Sequence, residues 1–212
     1  MNQGLWKTFD KLRTLPFSGS EGLAEFFKKE GVRFAPSDLG TWGQFFATRF
    51  GRSAGVFHVP EWLAAVFGAL AKGGSPKSLC DPWAGTGFLI EVLREVCHPN
   101  EAIAFTQSQA EHDLGKVLVP EVNWQLGQPM NLLDAVTQGF DVVASILPMG
   151  ARSSIPLKVV TASGEDVELR GDLGNLVMVA AVLHLRASGF GLFVVTPSTR
   201  PRRGRAGTRS IR

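Results

Sequence analysis

The chain has 212 residues, 44% of them hydrophobic, and carries 22 lysines and arginines against 19 acids for a net charge of +3. This supports one folded domain with a helical extension and excludes a wholly disordered chain. Six of the bases (Arg200, Arg202, Arg203, Arg205, Arg209 and Arg212) fall in the last 13 residues, which hold no acid, so residues 1–199 carry a net −3 and the basic balance belongs to the tail. A tail of Arg, Gly and Pro reads as unstructured, with contact to nucleic-acid phosphates as the alternative. Cys80 and Cys97 form no Cys-x-x-Cys pair, and His58, His98, His112 and His184 show no metal-ligand spacing. A metal-free cytoplasmic protein is expected. The first residues lack the apolar core of a signal peptide, and the longest charge-free apolar run, Leu173 to Leu185, is too short to span a bilayer.

Residues 1–54 read as helical. Leu23, Phe26 and Phe27 ahead of Gly31 mark an amphipathic helix with a glycine stop, and Phe45, Phe46 and Phe50 mark another after Thr41. These aromatics are expected to pack on the main domain. Pro60 opens a helix through Leu70 whose apolar positions are Leu63, Val66, Phe67 and Leu70. Ser78 to Ile90 then reads as a short apolar strand, a glycine turn and the start of an apolar helix that runs to about Val96. Asp81 stands at the end of the strand. Gly85 and Gly87 let the backbone turn tightly and approach a ligand, and the helix start presents free N–H groups. Such a loop at the carboxyl edge of a parallel sheet is the usual ligand site of open α/β folds; a tight turn without a ligand is the alternative.

A second strand is expected at Ala102–Phe105, a helix at Glu111–Leu118, a third strand at Asn123–Leu126 and a fourth from Phe140. Residues 151–170 form a polar connection, with Ser163-Gly164 as the turn of a small hairpin. Asp172 caps a helix expected to run to Ala187, with Leu173, Leu176, Val177, Ala180, Leu183 and His184 at helical spacing and with Met178 and His184 as packing residues. Gly189 is read as its stop, and Phe190–Ser198 as a fifth strand. Alternating strands and helices predict a parallel α/β sheet.

The loop Asp81-Pro82-Trp83-Ala84-Gly85-Thr86-Gly87 resembles the cofactor loop of S-adenosylmethionine-dependent methyltransferases. It is most similar to that of adenine-N6 DNA methyltransferases such as the modification subunit of type I restriction systems. The resemblance runs from about Gly55 to Ser198 and implies a Rossmann-like sheet of about five strands. It also implies that the terminal antiparallel strand pair is missing and that the chain is a shortened member. The implied organisation is an N-terminal helical segment (1–54), a methyltransferase-like domain (55–199) and a basic tail (200–212).

In that family the loop wraps the methionine part of the cofactor, which here would engage Asp81 (on the amino group), Ala84, Gly85, Thr86 and Gly87. Gly55-Val56-Phe57-His58-Val59-Pro60 resembles an upstream motif whose aromatic packs on the cofactor and whose threonine bonds its carboxylate. Phe57 and Pro60 match; the aromatic position is taken by His58, and the threonine position by Val59, which has no hydroxyl to give. The acids that hold the ribose and read the adenine amino group fall at Gln107 and Gln128. Both have become neutral amides, which forgo charge-assisted strength.

Phe140 to Gly150 resembles the catalytic segment, in which an Asn side chain and a Pro carbonyl accept from the target amine and an aromatic stacks on the flipped-out base. The corresponding tetrapeptide is Ile146, Leu147, Pro148 and Met149, of which only Pro148 survives, together with Gly150 beyond it. Ile146 offers no acceptor and Met149 no aromatic face. Losing one oriented polar group from such a site commonly costs on the order of 10² in rate.

The resemblance therefore implies a DNA-methyltransferase-like domain of a restriction-modification system. S-adenosylmethionine is the implied cofactor. DNA and a specificity or restriction subunit are the implied partners, with no membrane. The competing class is a non-catalytic DNA- or partner-binding relative, and a class I methyltransferase with another substrate is a third. Losses at Val59, Gln107, Gln128, Ile146 and Met149, with apolar core positions kept, favour a fold retained and chemistry lost.

Overall fold

A computed structural model describes residues 3–13, 22–50, 59–133, 139–148, 150–160 and 163–195. Three helices come first: α1 (Gln3–Arg13), α2 (Leu23–Glu30) and, after a 3-10 turn at Pro36–Asp38, α3 (Leu39–Phe50). They are followed by α4 (Glu61–Lys72), β1 (Ser78–Asp81), α5 (Phe88–Cys97), β2 (Glu101–Thr106), α6 (Gln109–Leu118), β3 (Asn123–Leu126), α7 (Pro129–Leu133) and β4 (Phe140–Ile146). A hairpin of β5 (Leu157–Val160) and β6 (Asp166–Leu169) precedes α8 (Leu173–Leu183) and β7 (Leu185–Val194). The expected helices and strands thus form. The hairpin is a separate two-stranded antiparallel sheet, and Gly164 takes φ 81° at its turn.

The main sheet has the order β3-β2-β1-β4-β7, every pair parallel. Strands β1, β2 and β4 are buried on both faces, as their apolar runs require, while the edge strands β3 and β7 are partly exposed. Leu79, Ala102, Ala104, Val142 and Ala144 face a core shared with α1 to α6, while Cys80, Ile103, Phe105 and Val143 face a second core with α7 and α8. The chain steps outward from β1 to β3 and then crosses back to β4 on the other side of β1. That reversal opens a crevice at the carboxyl ends of β1 and β4.

The N-terminal aromatics root the first helices on the glycine loop. Phe34 stacks on Phe88, the first residue of α5, with ring centroids 4.2 Å apart. Trp42 and Phe46 also meet Phe88, at 5.5 and 5.9 Å. Helices α1 to α3 therefore share one core with the sheet.

Two expectations fail. Helix α8 ends at Leu183, not Ala187, and β7 begins at Leu185. The reason lies in β4: the Phe140 N–H donates to the His184 carbonyl, and Arg186 reaches Asp141. The register jumps from Phe140↔Leu185 to Val142↔Phe190, so Arg186–Gly189 bulge out of the pairing. Gly189 serves this bulge and does not stop a helix, since a Cβ there would sit 2.6 Å from the Phe140 carbonyl oxygen. On α4, Leu63 and Phe67 are buried, but Val66 and Leu70 are 47% and 54% exposed, so the helix is narrower in its core face than its composition implies. Phe57, His58, Met149, residues 196–198 of the expected fifth strand and the tail lie outside the described residues.

Candidate functional site

Asp81 ends β1 with 2% of its surface exposed. Its Oδ1 accepts from the Ser145 hydroxyl at 2.6 Å and from the Trp83 N–H at 3.0 Å. Burial pushes its pKa up to about 7, against the opposing pull of these two hydrogen bonds. Cys80 beside it has its thiol raised well above the usual range, by burial first and by the neighbouring Asp81 second.

The two loop glycines do different work. Both take positive φ, 53° at Gly85 and 81° at Gly87. A Cβ on Gly85 would meet nothing within 4 Å, so this is where a ligand can approach the backbone. A Cβ on Gly87 would lie 2.6 Å from the Trp124 ring, so Gly87 is required for packing against β3. Trp124 is fixed there by its indole N–H, which donates to the Val119 carbonyl at 3.0 Å. Thr86 is buried, and the Ala84 N–H donates to the Phe105 carbonyl, tying the loop to β2.

A small cavity of about 20 Å³ opens on this loop, room for about one water. Asp81, Ala84 and Gly85 line it together with Val59, Trp83, Leu89, Glu111 and Ile146. Three residues singled out in the sequence as departures or contacts thus converge: Val59 and Ile146 face the same space as Asp81. Leu147 is 2% exposed in the second core, and Pro148 is buried with its carbonyl oxygen against Gly174 in the first turn of α8. That carbonyl is turned to the first turn of α8.

Gln107 and Gln128 do not line the cavity. The Gln107 amide donates to the Gln128 Oε1 at 2.5 Å, joining the ends of β2 and β3 at the surface. Sequence reasoning missed Ser145 and Glu111. Ser145 is a fully buried hydroxyl within an apolar strand, a pattern that needs a buried partner. Glu111 stands in the first turn of α6, three residues after the N-cap Ser108, and in the sequence marks only the start of a helix. Among the described residues no cluster of His, Cys, Asp and Glu is placed to hold a metal, and no helix is long and apolar enough to cross a membrane.

No protein-family model matches the chain, and none of the curated proteins does. Solved structures do match. A Podospora anserina methyltransferase in its S-adenosylhomocysteine-bound form aligns with 84% of this chain and 71% of its own, at 16% identity and TM-score 0.52. A caffeoyl-CoA O-methyltransferase assigned in Staphylococcus aureus aligns over 82% of this chain and 71% of its own, at 9% identity and TM-score 0.54. A class I S-adenosylmethionine-dependent methyltransferase assigned in Listeria monocytogenes aligns over 78% of this chain and 55% of its own, at 14% identity and TM-score 0.54. The chain has the Rossmann-like fold of class I methyltransferases. The cavity lined by Asp81 and Ile146 lies at the carboxyl ends of β1 and β4, where the strand order reverses.

Proposed function

We propose that the chain binds S-adenosylmethionine at the crevice of β1 and β4 and does not itself methylate an amine. The observation that carries this reading is the pairing, around one cavity, of a buried carboxyl with a hydrocarbon. Asp81 supplies an acceptor for an ammonium group, and Ile146 stands where an amine-methylating site needs an amide. The donor set fits the amino-acid end of the cofactor: an acid at the strand end and an open backbone approach at Gly85. Because the cavity holds only about 20 Å³, ligand entry requires its rim to open.

The finer reading is a relative of adenine-N6 DNA methyltransferases that has kept the fold. It is supported by the ordered resemblance of Asp81–Gly87 and Phe140–Gly150 and by the losses at Ile146, Leu147 and Met149. DNA is then the polymer partner, with a specificity or restriction subunit as the protein partner. The buried Pro148 carbonyl agrees with lost chemistry, since restoring side chains leaves that acceptor facing α8.

The test is a methyl-transfer assay with labelled cofactor and duplex DNA. It compares the native chain with the triple variant Ile146→Asn, Leu147→Pro, Met149→Phe. Binding of the cofactor with no transfer by either protein is expected. Transfer by the native chain contradicts the non-catalytic reading, and absence of cofactor binding contradicts the site.

A further inference from the structure

Glu111 lies in the first turn of α6, where the spacing Ser108-x-x-Glu111 prepares a reciprocal cap. Only half of that cap forms. The Ser108 hydroxyl accepts from the Glu111 N–H at 3.4 Å, but the Ser108 N–H donates to the Thr106 hydroxyl at 3.3 Å instead of to Glu111. Thr106, itself 3% exposed, donates in turn to Glu111 Oε2 at 3.0 Å. One hydroxyl thus takes over the capping duty and steadies the carboxylate that it releases. That carboxylate lines the cavity beside Asp81, and no basic side chain pairs with it among the described residues. Its pKa is raised by burial, against the hydrogen bond from Thr106. A half-buried acid with one steadied oxygen and no counter-ion suits neutral donors, because a carboxylate accepts strongly from hydroxyls.

We propose that Glu111, positioned by Thr106, is the group that accepts from the ribose hydroxyls of a nucleoside seated at the crevice of β1 and β4. The strand-end amide Gln107 does not take that role. This rests on the S-adenosylmethionine reading above and deepens it. The separation of tasks is a physical one. Asp81 and Glu111 share the cavity, whereas Gln107 is exposed and spent on Gln128. Thr106 touches Glu111 and is a positioning residue.

The experiment is calorimetric titration of the full chain with S-adenosylhomocysteine and with its 2′-deoxyribose analogue. Wild type, Glu111→Gln, Thr106→Val and Gln107→Ala are compared, with thermal melts confirming that each is folded. The native chain is expected to prefer the ribose form by about tenfold or more. Glu111→Gln keeps an acceptor for Thr106 but loses the charge, so it is expected to erase most of that preference; Thr106→Val reduces it, and Gln107→Ala leaves it unchanged. A merely structural role for Glu111 would weaken both ligands equally and keep the preference, which overturns the proposal. So does loss of the preference in Gln107→Ala. Failure of the folded native chain to bind S-adenosylhomocysteine overturns the cofactor reading and this inference together. Binding with no ribose preference overturns the inference alone.

Discussion

Two aspartates stand at opposite ends of the same central strands and have opposite electrostatics. Asp81, at the carboxyl end of β1, is buried, accepts two hydrogen bonds at one oxygen and has its pKa pushed up to about 7. Asp141, near the amino end of β4, accepts from the N–H groups of Lys77 and Ser78 at 2.8 and 3.0 Å, from the Ser78 hydroxyl, and from Arg186 at 2.8 Å. Burial raises its pKa, but the Arg186 guanidinium and the two N–H donors outweigh it and bring the group below its ordinary value. The second arrangement is saturated and joins β1, β4 and β7. The first is left short of donors in a place where folding gains nothing from a charge. A buried acid so short of donors beside a cavity is a candidate for ligand binding, and the proposed cofactor site rests on it.

The largest expected effect breaks that contrast directly. With a folded-state pKa above its unfolded value, Asp81 makes the folded chain hold a proton that the unfolded chain has released. Stability therefore falls as pH rises from about 4 to about 7 and then levels. Asp81→Asn removes this penalty, which the shift to about 7 sets at roughly 4 kcal/mol. Urea unfolding is expected to show the variant more stable than the native chain at pH 8 and no more stable at pH 4, while S-adenosylhomocysteine binding falls at least about 100-fold. A variant destabilised at both pH values would show that Asp81 is a structural group after all.

The opposite sign is expected at the other end of the sheet. Asp141→Ala strands the donors of Lys77, Ser78 and Arg186 and should cost about 1–3 kcal/mol at pH 7. Because the folded-state pKa is lowered, the native contribution is present above the unfolded pKa and lost as pH falls, so the gap between variant and native chain should narrow in acid. Binding of S-adenosylhomocysteine by the variant should stay within about twofold of native once unfolding is corrected for. A matching loss of affinity would mean that the two ends are not separate.

The smallest effect sharpens the division within the loop. Gly85→Ala introduces a Cβ into open space at positive φ and should cost about 1–2 kcal/mol of backbone strain. Gly87→Ala adds to the same strain a collision with the Trp124 ring, so it should be the more destabilising of the two in thermal melts. Equal losses would remove the distinction between a glycine kept for ligand approach and one kept for packing.

Much of this was legible in the residues. The short, mostly apolar stretches at Ser78–Asp81, Ala102–Phe105 and Phe140–Ile146 read as strands because helices alternate with them, and Asp81 at the end of one, ahead of the glycine loop, pointed to the crevice. The end of α8 was not legible, because Leu185 to Ser188 are as compatible with a helix as with a strand. Asp141 decides the matter by drawing Arg186 across to β4, a contact 45 residues apart in sequence. Ser145 and Glu111 were hidden for a similar reason. The hydroxyl meets its carboxyl only when β1 and β4 lie side by side, and Glu111 meets the cavity only when the ends of β1, β4 and α6 come together. Gln107 and Gln128 could be placed at strand ends, but their bond to each other follows only from the parallel register of β2 and β3.

The most direct test of a ligand-binding carboxyl end is a calorimetric titration of the native chain with S-adenosylhomocysteine between pH 5.5 and pH 8.5, repeated in buffers of different ionisation heat. An ammonium ligand needs Asp81 ionised. Affinity is therefore expected to plateau above pH 7 and to weaken about tenfold per unit below it, with close to one proton released per ligand bound at the acid end. Binding that ignores pH and releases no proton, or no binding by the folded chain, contradicts the assignment of Asp81 and of the site built around it.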